Sequence, residues 1–338
     1  MKLKFNIIYS PGDVLYSRLF LLSLLKWSEG SFRVVNNGCT GQEKEMIIQF
    51  CDNYSRLEYY ELSSDKVFAH GAALSHLQSI EDSDYFCFMD PDIFGVGNFM
   101  DQFIPLTQQF CGVFSGSAIW QPEQDQIIEK LNLRVGGRFH WTSDNFCLGS
   151  SFFAIYHNDT LSQLLKDTGI TFDKYLSWQS IPNNLREGIE KIGLKKKAYD
   201  TGKLINIMLQ VNGHKIIYKN SETLWHLGGL SSLSIGPLSK VPPKGIKRIR
   251  KNISTRISLK SMINRAARKE REYQLNIKYN RFDTAQYFTK VLHCLFDGLP
   301  VTATLKVKDE AVSKKIQIAR NYIEDLYNEF QDELRYDN

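Results

Sequence analysis

No two cysteines in this chain have the CxxC spacing of a redox or zinc motif. The six, at 39, 51, 87, 111, 147 and 294, are scattered and mostly sit among apolar neighbours. They read as buried free thiols in a reducing compartment, not as disulfides or zinc ligands. Neither GxGxxG nor a Walker sequence occurs, and the first strand leads instead into Ser10-Pro11-Gly12-Asp13. A glycine-rich phosphate cradle of either kind is therefore excluded. No apolar run approaches the roughly 20 residues needed to cross a bilayer. The apolar part of Met1–Tyr9 is too brief for a secretory signal and runs into Pro11-Gly12, so it reads as a strand. What is present is 338 residues, 43% of them hydrophobic, with a net charge of +5. That is enough for one large domain with a substantial core and an appendage.

The first 230 residues alternate between two periodicities. Strands are predicted at 4–9, 32–35, 57–62 and 85–89, with helices at 14–27, 42–54 and 68–80 between them. The first helix carries Leu15, Leu19, Leu22 and Leu25 at helical spacing, broadened by Leu21 and Leu24. Strands alternating with helices of this length predict a mostly parallel, doubly wound α/β sheet.

The fourth strand ends abruptly in Asp90-Pro91-Asp92. Pro91 has no N–H for a ladder, so the strand should stop there. On extended backbone, side chains two apart point the same way, which aims both carboxylates beyond the strand end. In open α/β sheets that is where ligands bind. Two close carboxylates repel unless a cation lies between them, and hard oxygen ligands suit Mg²⁺ or Mn²⁺. Such an ion would in turn hold a diphosphate. An acidic turn after a core strand, with no metal, accounts for the same three residues.

Three later segments carry further chemistry. Arg138–Asn145 is rich in aromatic and polar groups and runs into Phe146–Ile155. Trp141, Asp144 and Gly149 there suit a sugar, whose C–H face a ring covers while a carboxylate takes hydroxyls. A core hairpin with a polar turn explains them equally well. Asp200, in Asp200-Thr201-Gly202, has the position of a helix N-cap. His226 lies just past a strand predicted at 215–218 and next to Gly228-Gly229, which would let backbone approach a ligand.

The order strand, DxD, aromatic/glycine segment, Asp at a helix start, His resembles that of GT-A-fold glycosyltransferases that use nucleotide sugars. Phe68-Ala69-His70-Gly71-Ala72-Ala73-Leu74 is similar to the His-Gly-x-x-Leu segment of bacterial family-2-like members. The resemblance covers about residues 3–232. It implies a GT-A-like doubly wound mixed sheet. It implies Mn²⁺ or Mg²⁺ held by Asp90 and Asp92 with His226 completing the shell, and Asp200 as general base of an inverting transfer. By the same analogy Tyr9, Ser10, Asn36, His70 and Asp90 would line the donor site, a UDP-sugar being the expected donor. Trp141, Asp144 and Gly149 would face a glycan or lipid-linked acceptor. Bacterial surface polysaccharide synthesis in the cytoplasm, at the inner face of the membrane, is the implied setting. The chain departs from family-2 members in carrying Asp-Thr-Gly where many have Glu-Asp, and in lacking QxxRW.

Breaks at Gly236-Pro237 and Pro242-Pro243-Lys244-Gly245 divide a catalytic domain, 1–235, from a basic, mostly helical extension, 236–338. Between Lys240 and Arg281 fourteen Lys/Arg stand against two acids, interleaved with isoleucines. Such a segment suits an anionic membrane surface, at about 1 kcal/mol per basic residue; a solvated charged face or an anionic-acceptor groove fits it too. The stretch 309–336 is predicted as a helix packing on the core or on a second subunit, which leaves open a homo-oligomer. Three other classes compete. A haloacid-dehalogenase phosphatase needs its DxD near the N-terminus and Thr or Val where Phe94 stands. A sugar-phosphate nucleotidylyltransferase wants a basic, glycine-rich first loop. A non-enzymatic binder of anionic polymer is suggested only by the basic stretch. No RNA-binding motif is present, so no nucleic-acid partner is expected.

Overall fold

The computed structural model describes residues 3–129, 132–230, 279–307 and 309–335. Its strands are β1 (Lys4–Tyr9), β2 (Ser31–Asn37), β3 (Leu57–Ser63), β4 (Tyr85–Met89), β5 (Ile93–Gly95), β6 (Gly112–Ser115), β7 (Ile127–Ile128), β8 (Arg134–Val135), β9 (Trp141–Thr142), β10 (Phe153–His157), β11 (Ala198–Tyr199), β12 (Ile216–Tyr218) and β13 (Leu224–His226). The helices are α1 (Val14–Lys26), α2 (Gly41–Asp52), α3 (His70–Ser79), α4 (Ile104–Thr107), α5 (Asn158–Thr168), α6 (Asn183–Lys191) and α7 (Lys203–Val211), then α8 over 279–296 and α9 (Glu310–Arg335).

Seven strands form one mixed sheet in the order β12-β6-β10-β4-β1-β2-β3. β1, β2, β3 and β4 run parallel, as their alternation with helices predicts. β10 is antiparallel to both β4 and β6, so the sheet is mixed in its middle. Side-chain alternation divides the core into two layers. Phe5, Ile7, Cys87 and Met89 face one layer, while Ile8, Phe86 and Phe88 face the other.

α1 is apolar nearly all round, and such a helix needs cover on every side. The sheet takes one side. α9 takes another, presenting Val312, Ile316, Ala319, Ile323 and Leu326 to the same buried layer. Each Val, Ile or Leu among them stabilises by about 1.5–3 kcal/mol on full burial. Lys26 pairs with Glu329, and Trp225 meets Tyr322 edge-on at 5.5 Å. Tyr287, Phe288, Val291 and Leu292 of α8 join that layer. The described C-terminal residues thus share a core with the sheet. The division at 235/236 and the basic residues 240–278 lie outside the described residues. All six cysteines are free, and four of them are buried. Among the described residues no helix is long and apolar enough to cross a membrane.

Candidate functional site

Asp90 and Asp92 do converge, but through a turn and not along extended backbone. The Ile93 N–H donates to Asp90 O at 3.3 Å, which closes a turn with Pro91 in its second position. The chain then enters β5, which pairs antiparallel with β13 so that His226 lies opposite Ile93. Leu227 N–H donates to Asp92 O at 3.0 Å and locks that register. This topology brings residues 134 positions apart together. One ligand atom each of Asp90, Asp92 and His226 lie within 4.8 Å of one another.

The three groups are held differently. Asp92 is buried, and its Oδ2 accepts from the amides of Gly229 at 2.9 Å and Leu230 at 3.1 Å. Burial alone would raise its pKa, but His226 and these amides outweigh that and hold it below the usual carboxylate range. Asp90 has no such amide pair. Burial pushes it up to about 8, reinforced by Asp92 and opposed by His226 and Arg281. His226 Nδ1 is 2.6 Å from Gly116 O and donates to it, which leaves Nε2 directed at the carboxylates. Nε2 lies 3.1 Å from Asp92 Oδ1 and 3.6 Å from Asp90 Oδ2. It is buried and makes no hydrogen bond of good geometry. The two carboxylates outweigh burial and raise the histidine above its ordinary value. A buried imidazole nitrogen aimed at two carboxylate oxygens fits a divalent cation that takes the proton's place.

A second acidic group stands nearby. Asp200 accepts from Gly137 N–H at 3.0 Å and Thr201 N–H at 3.1 Å, and pairs with Lys174 at 3.1 Å. Against burial, Lys174 and the two amides lower it below its ordinary value. The N-cap of α7 is Gly202, in the left-handed region at φ 70°, and not Asp200, which precedes it by two residues. His70 links the two acids: its Nε2 is 4.0 Å from Asp90 Oδ1, and the charges of both Lys174 and Asp200 reach it. Burial, then Lys174, push His70 down to about 4, so it is neutral. Gly71 is required by packing, since a Cβ there would lie 2.6 Å from Phe172 O.

The remaining predicted residues are held in varied settings. Ser10 is buried, its amide 3.3 Å from Asp13 Oδ2, and the Asp13 charge bears on Asp90. Tyr9 is buried, with its hydroxyl toward Ser17 O at 3.5 Å. Asn36 lies inside β2, fully buried, and bonds the Cys39 backbone at both ends of its amide. Trp141 is half-buried and edge-on to Tyr218 at 6.4 Å. Asp144 is exposed at the tip of a hairpin and accepts the Thr142 hydroxyl. Gly149 O accepts from Lys203 Nζ at 2.7 Å and from His140 Nδ1 at 2.9 Å. A Cβ at Gly149 would lie 2.4 Å from Asn206 Nδ2.

Three residues that carry weight here have no sequence signature. Lys174 is a lone lysine in a loop. Lys203 is fully buried and donates to the carbonyls of Phe139, Leu148 and Gly149, tying the hairpin to α7. Burial pushes it down to about 7. His140, stacked on Tyr218 at 4.0 Å, lies inside the aromatic segment but only its fold gives it a place. Phe152 joins the parts: its carbonyl accepts from Asp90 N–H at 2.8 Å and its ring packs on His226 at 4.7 Å.

No family model and no curated protein matches the chain. Among solved structures it is similar to the galactosyltransferase LgtC in complex with donor and acceptor sugar analogs. There it is 10% identical over 65% of this chain and 74% of that one, with a TM-score of 0.38. The mannosyltransferase PcManGT of Pyrobaculum calidifontis, in complex with GDP-Man and Mn²⁺, is 9% identical over 66% of this chain and 56% of its own, TM-score 0.39. A 4-diphosphocytidyl-2C-methyl-D-erythritol synthase of Anaerococcus prevotii is 9% identical over 65% and 90%, TM-score 0.36. These likenesses span more than one activity, so function is argued from the site's own residues.

Proposed function

We propose that this protein is a metal-dependent glycosyltransferase, moving a sugar from a nucleotide-sugar donor to the hydroxyl of a glycan or lipid-linked acceptor with inversion. The Asp90–Asp92–His226 cluster carries the reading. It gathers two carboxylates and an aimed imidazole at the end of a central strand, where open α/β sheets take ligands. A divalent ion bound there supplies Lewis acidity to the departing nucleoside diphosphate. Asp92 is fixed by two amides and His226 by Gly116 O, so the set is pre-oriented.

Asp200 is the general base. Lys174 and two amides keep it ionised, and ionised is the state a base needs. It takes the acceptor hydroxyl proton as the new C–O bond forms and the bond to the diphosphate breaks. Ser10 and His70 flank the donor side, and Trp141 with Asp144 the acceptor side. Fourteen basic residues between 240 and 281 draw the enzyme to an anionic membrane surface where a lipid-linked acceptor resides; bacterial surface polysaccharide synthesis is the matching setting.

The test is a thermal-shift screen of nucleotide sugars with and without Mn²⁺. One donor should stabilise the protein only when metal is present, by about 2.7 kcal/mol at 100 times its Kd. Transfer by that donor should give a product of opposite anomeric configuration. Stabilisation indifferent to metal would remove the metal centre from the reaction, and a retained configuration would remove Asp200 from its role.

A further inference from the structure

Asp200 ends a small ladder of its own. β8 and β11 run parallel, with Arg134 opposite Ala198 and Val135 opposite Tyr199. Tyr175 bridges Tyr199 from the other side: its N–H donates to Tyr199 O at 3.0 Å, and its O accepts from Tyr199 N–H at 2.8 Å. Asp200 N–H donates to Val135 O at 2.9 Å, which carries the ladder on to that residue. Val135 and Tyr199 are buried and turn inward. Their neighbours Arg134 and Asp200 therefore turn to the opposite face. On that face Arg134 is one strand across from Asp200, about 4.8 Å, and two residues along, about 6.6 Å.

This rim is strongly basic. Segments 132–138, 173–178 and 195–200 hold six cations against two acids, Asp173 and Asp200. Four of the cations are engaged. Lys174 pairs with Asp200 at 3.1 Å and Lys195 with Glu190 at 2.6 Å, Lys196 donates to Glu129 O at 3.3 Å, and Arg138 lies 4.6 Å over the Phe139 ring. Arg134 and Lys197 are exposed, and among the described residues neither side chain has a hydrogen bond or ion pair. The apolar residues beside the ladder, Leu133 at 69% exposure and Leu176 at 65%, bring no counter-charge. Unanswered cations near a general base work against it, because they lower its affinity for a proton. A substrate with its own negative charge removes that conflict, neutralising the cations as it delivers the hydroxyl. A neutral acceptor leaves the conflict standing.

We infer that the acceptor is anionic, and that Arg134 binds a phosphate or carboxylate close to its reacting hydroxyl, with Lys197 adding to the attraction. This rests on reading Asp200 as the general base. The planar fork of an arginine matches either group bidentately, while a lysine supplies a point charge. Arg134 is then a specificity-determining residue of the acceptor side, and an uncharged glycan is a poor substrate.

The probes are glycerol 3-phosphate and glucuronic acid, with glycerol and glucose as their uncharged counterparts. Each is titrated, by ligand-observed NMR, into the full-length protein saturated with Mn²⁺ and pyrophosphate, which fill the metal centre first. At least one anion should bind, and its uncharged counterpart should bind about five-fold more weakly or less; which anion binds tells phosphate from carboxylate. Arg134→Gln should weaken that anion about five-fold, and Arg134→Gln with Lys197→Gln about ten-fold or more, the scale of exposed charge pairs added together. Arg134→Lys should recover part of the loss, since the charge remains and the fork does not. Melting temperatures should match the parent's, as for surface changes away from any packing defect. Failure of both anions to bind the parent, or equal binding in the double variant, would overturn the inference. So would a matching loss of pyrophosphate affinity, which would move Arg134 to the donor side. Undiminished transfer in Asp200→Asn, with the anion still bound through Arg134, would instead remove the base and leave the anion site standing.

Discussion

Asp90 and Asp200 are the same residue type, linked through His70, and the protein treats them in opposite ways. Asp200 has local partners: two backbone amides and Lys174. Asp90 has a second carboxylate beside it and a histidine that is shared. One is held ionised and the other is pushed up to about 8. A carboxylate surrounded by its own donors needs nothing from outside. A carboxylate left short of positive charge is a demand for a cation. The contrast assigns chemistry where the mere presence of two acids would not, because the environment of each group sets its role.

The largest expected effects come from removing one acid of each kind. Asp92→Ala should abolish Mn²⁺ binding by calorimetry and lower metal-dependent transfer by roughly 10³-fold, as loss of several kcal/mol of transition-state stabilisation requires. It should also lower stability by about 1–3 kcal/mol, because two buried amides lose their acceptor. Asp200→Asn should lower transfer by roughly 10² or more while leaving Mn²⁺ and donor affinity intact. Equal loss of metal binding in both variants would erase the distinction between the two acids.

Much of this arrangement is legible in the sequence, and what is not has physical causes. The runs Phe5–Ile8 and Phe86–Met89 could only be core strands, and Pro91 had to end the second one. β10 could not be placed: its antiparallel entry between β4 and β6 depends on pairing across some seventy residues, which local patterning does not encode. The Asp90–Asp92–His226 cluster is readable because His226 and the two aspartates each sit beside a strand end. Lys174 and Arg281 are not, since a lone cation acquires meaning only from what the fold brings to it. At Asn36 the strand is longer than the sequence suggests: Asn-Asn-Gly reads as a loop, yet β2 continues through Asn37, and the Asn36 amide bonds the Cys39 backbone, Tyr59 and Glu61. At α7, Gly202 takes the cap because the chain must pass through the left-handed region there, which glycine does at no steric cost. Asp200 is thereby left free of capping and aimed elsewhere.

A smaller effect should follow from Lys174→Met, which touches only one of the two acids. Without that ammonium the carboxyl of Asp200 loses a major cause of its lowering, and its affinity for a proton rises. The acid limb of the kcat/KM–pH profile should move to higher pH, with the alkaline activity within about ten-fold of the parent's, the scale of one lost partly exposed pair. Mn²⁺ binding should not change. An unmoved acid limb would mean that Asp200 is not the group titrating there, and the base would have to be sought elsewhere.

The smallest effect concerns the protein without metal, and it reads Asp90 directly. A carboxyl whose folded value is raised above its unfolded one binds its proton more tightly when folded. Its contribution to stability is therefore present below the unfolded value, near 4, and is lost as pH rises toward about 8. His226, raised in the fold, acts in the same sense over a higher range: its contribution is present below about 6.5 and lost as pH rises through the folded value. Asp92, lowered in the fold, acts oppositely and only at acid pH. Between pH 5 and pH 8.5 the metal-free protein should thus lose stability, seen as a falling melting temperature. Mn²⁺ should reverse that slope, because it binds best where protons have left the ligands. Asp90→Asn removes the group that titrates and the repulsion with Asp92 together. Its metal-free melting temperature should depend less on pH than the parent's and exceed it at pH 8.5, while its response to Mn²⁺ shrinks. A parent whose metal-free stability rises from pH 5 to 8.5 would show that Asp90 is already satisfied within the fold, and the contrast with Asp200 would collapse.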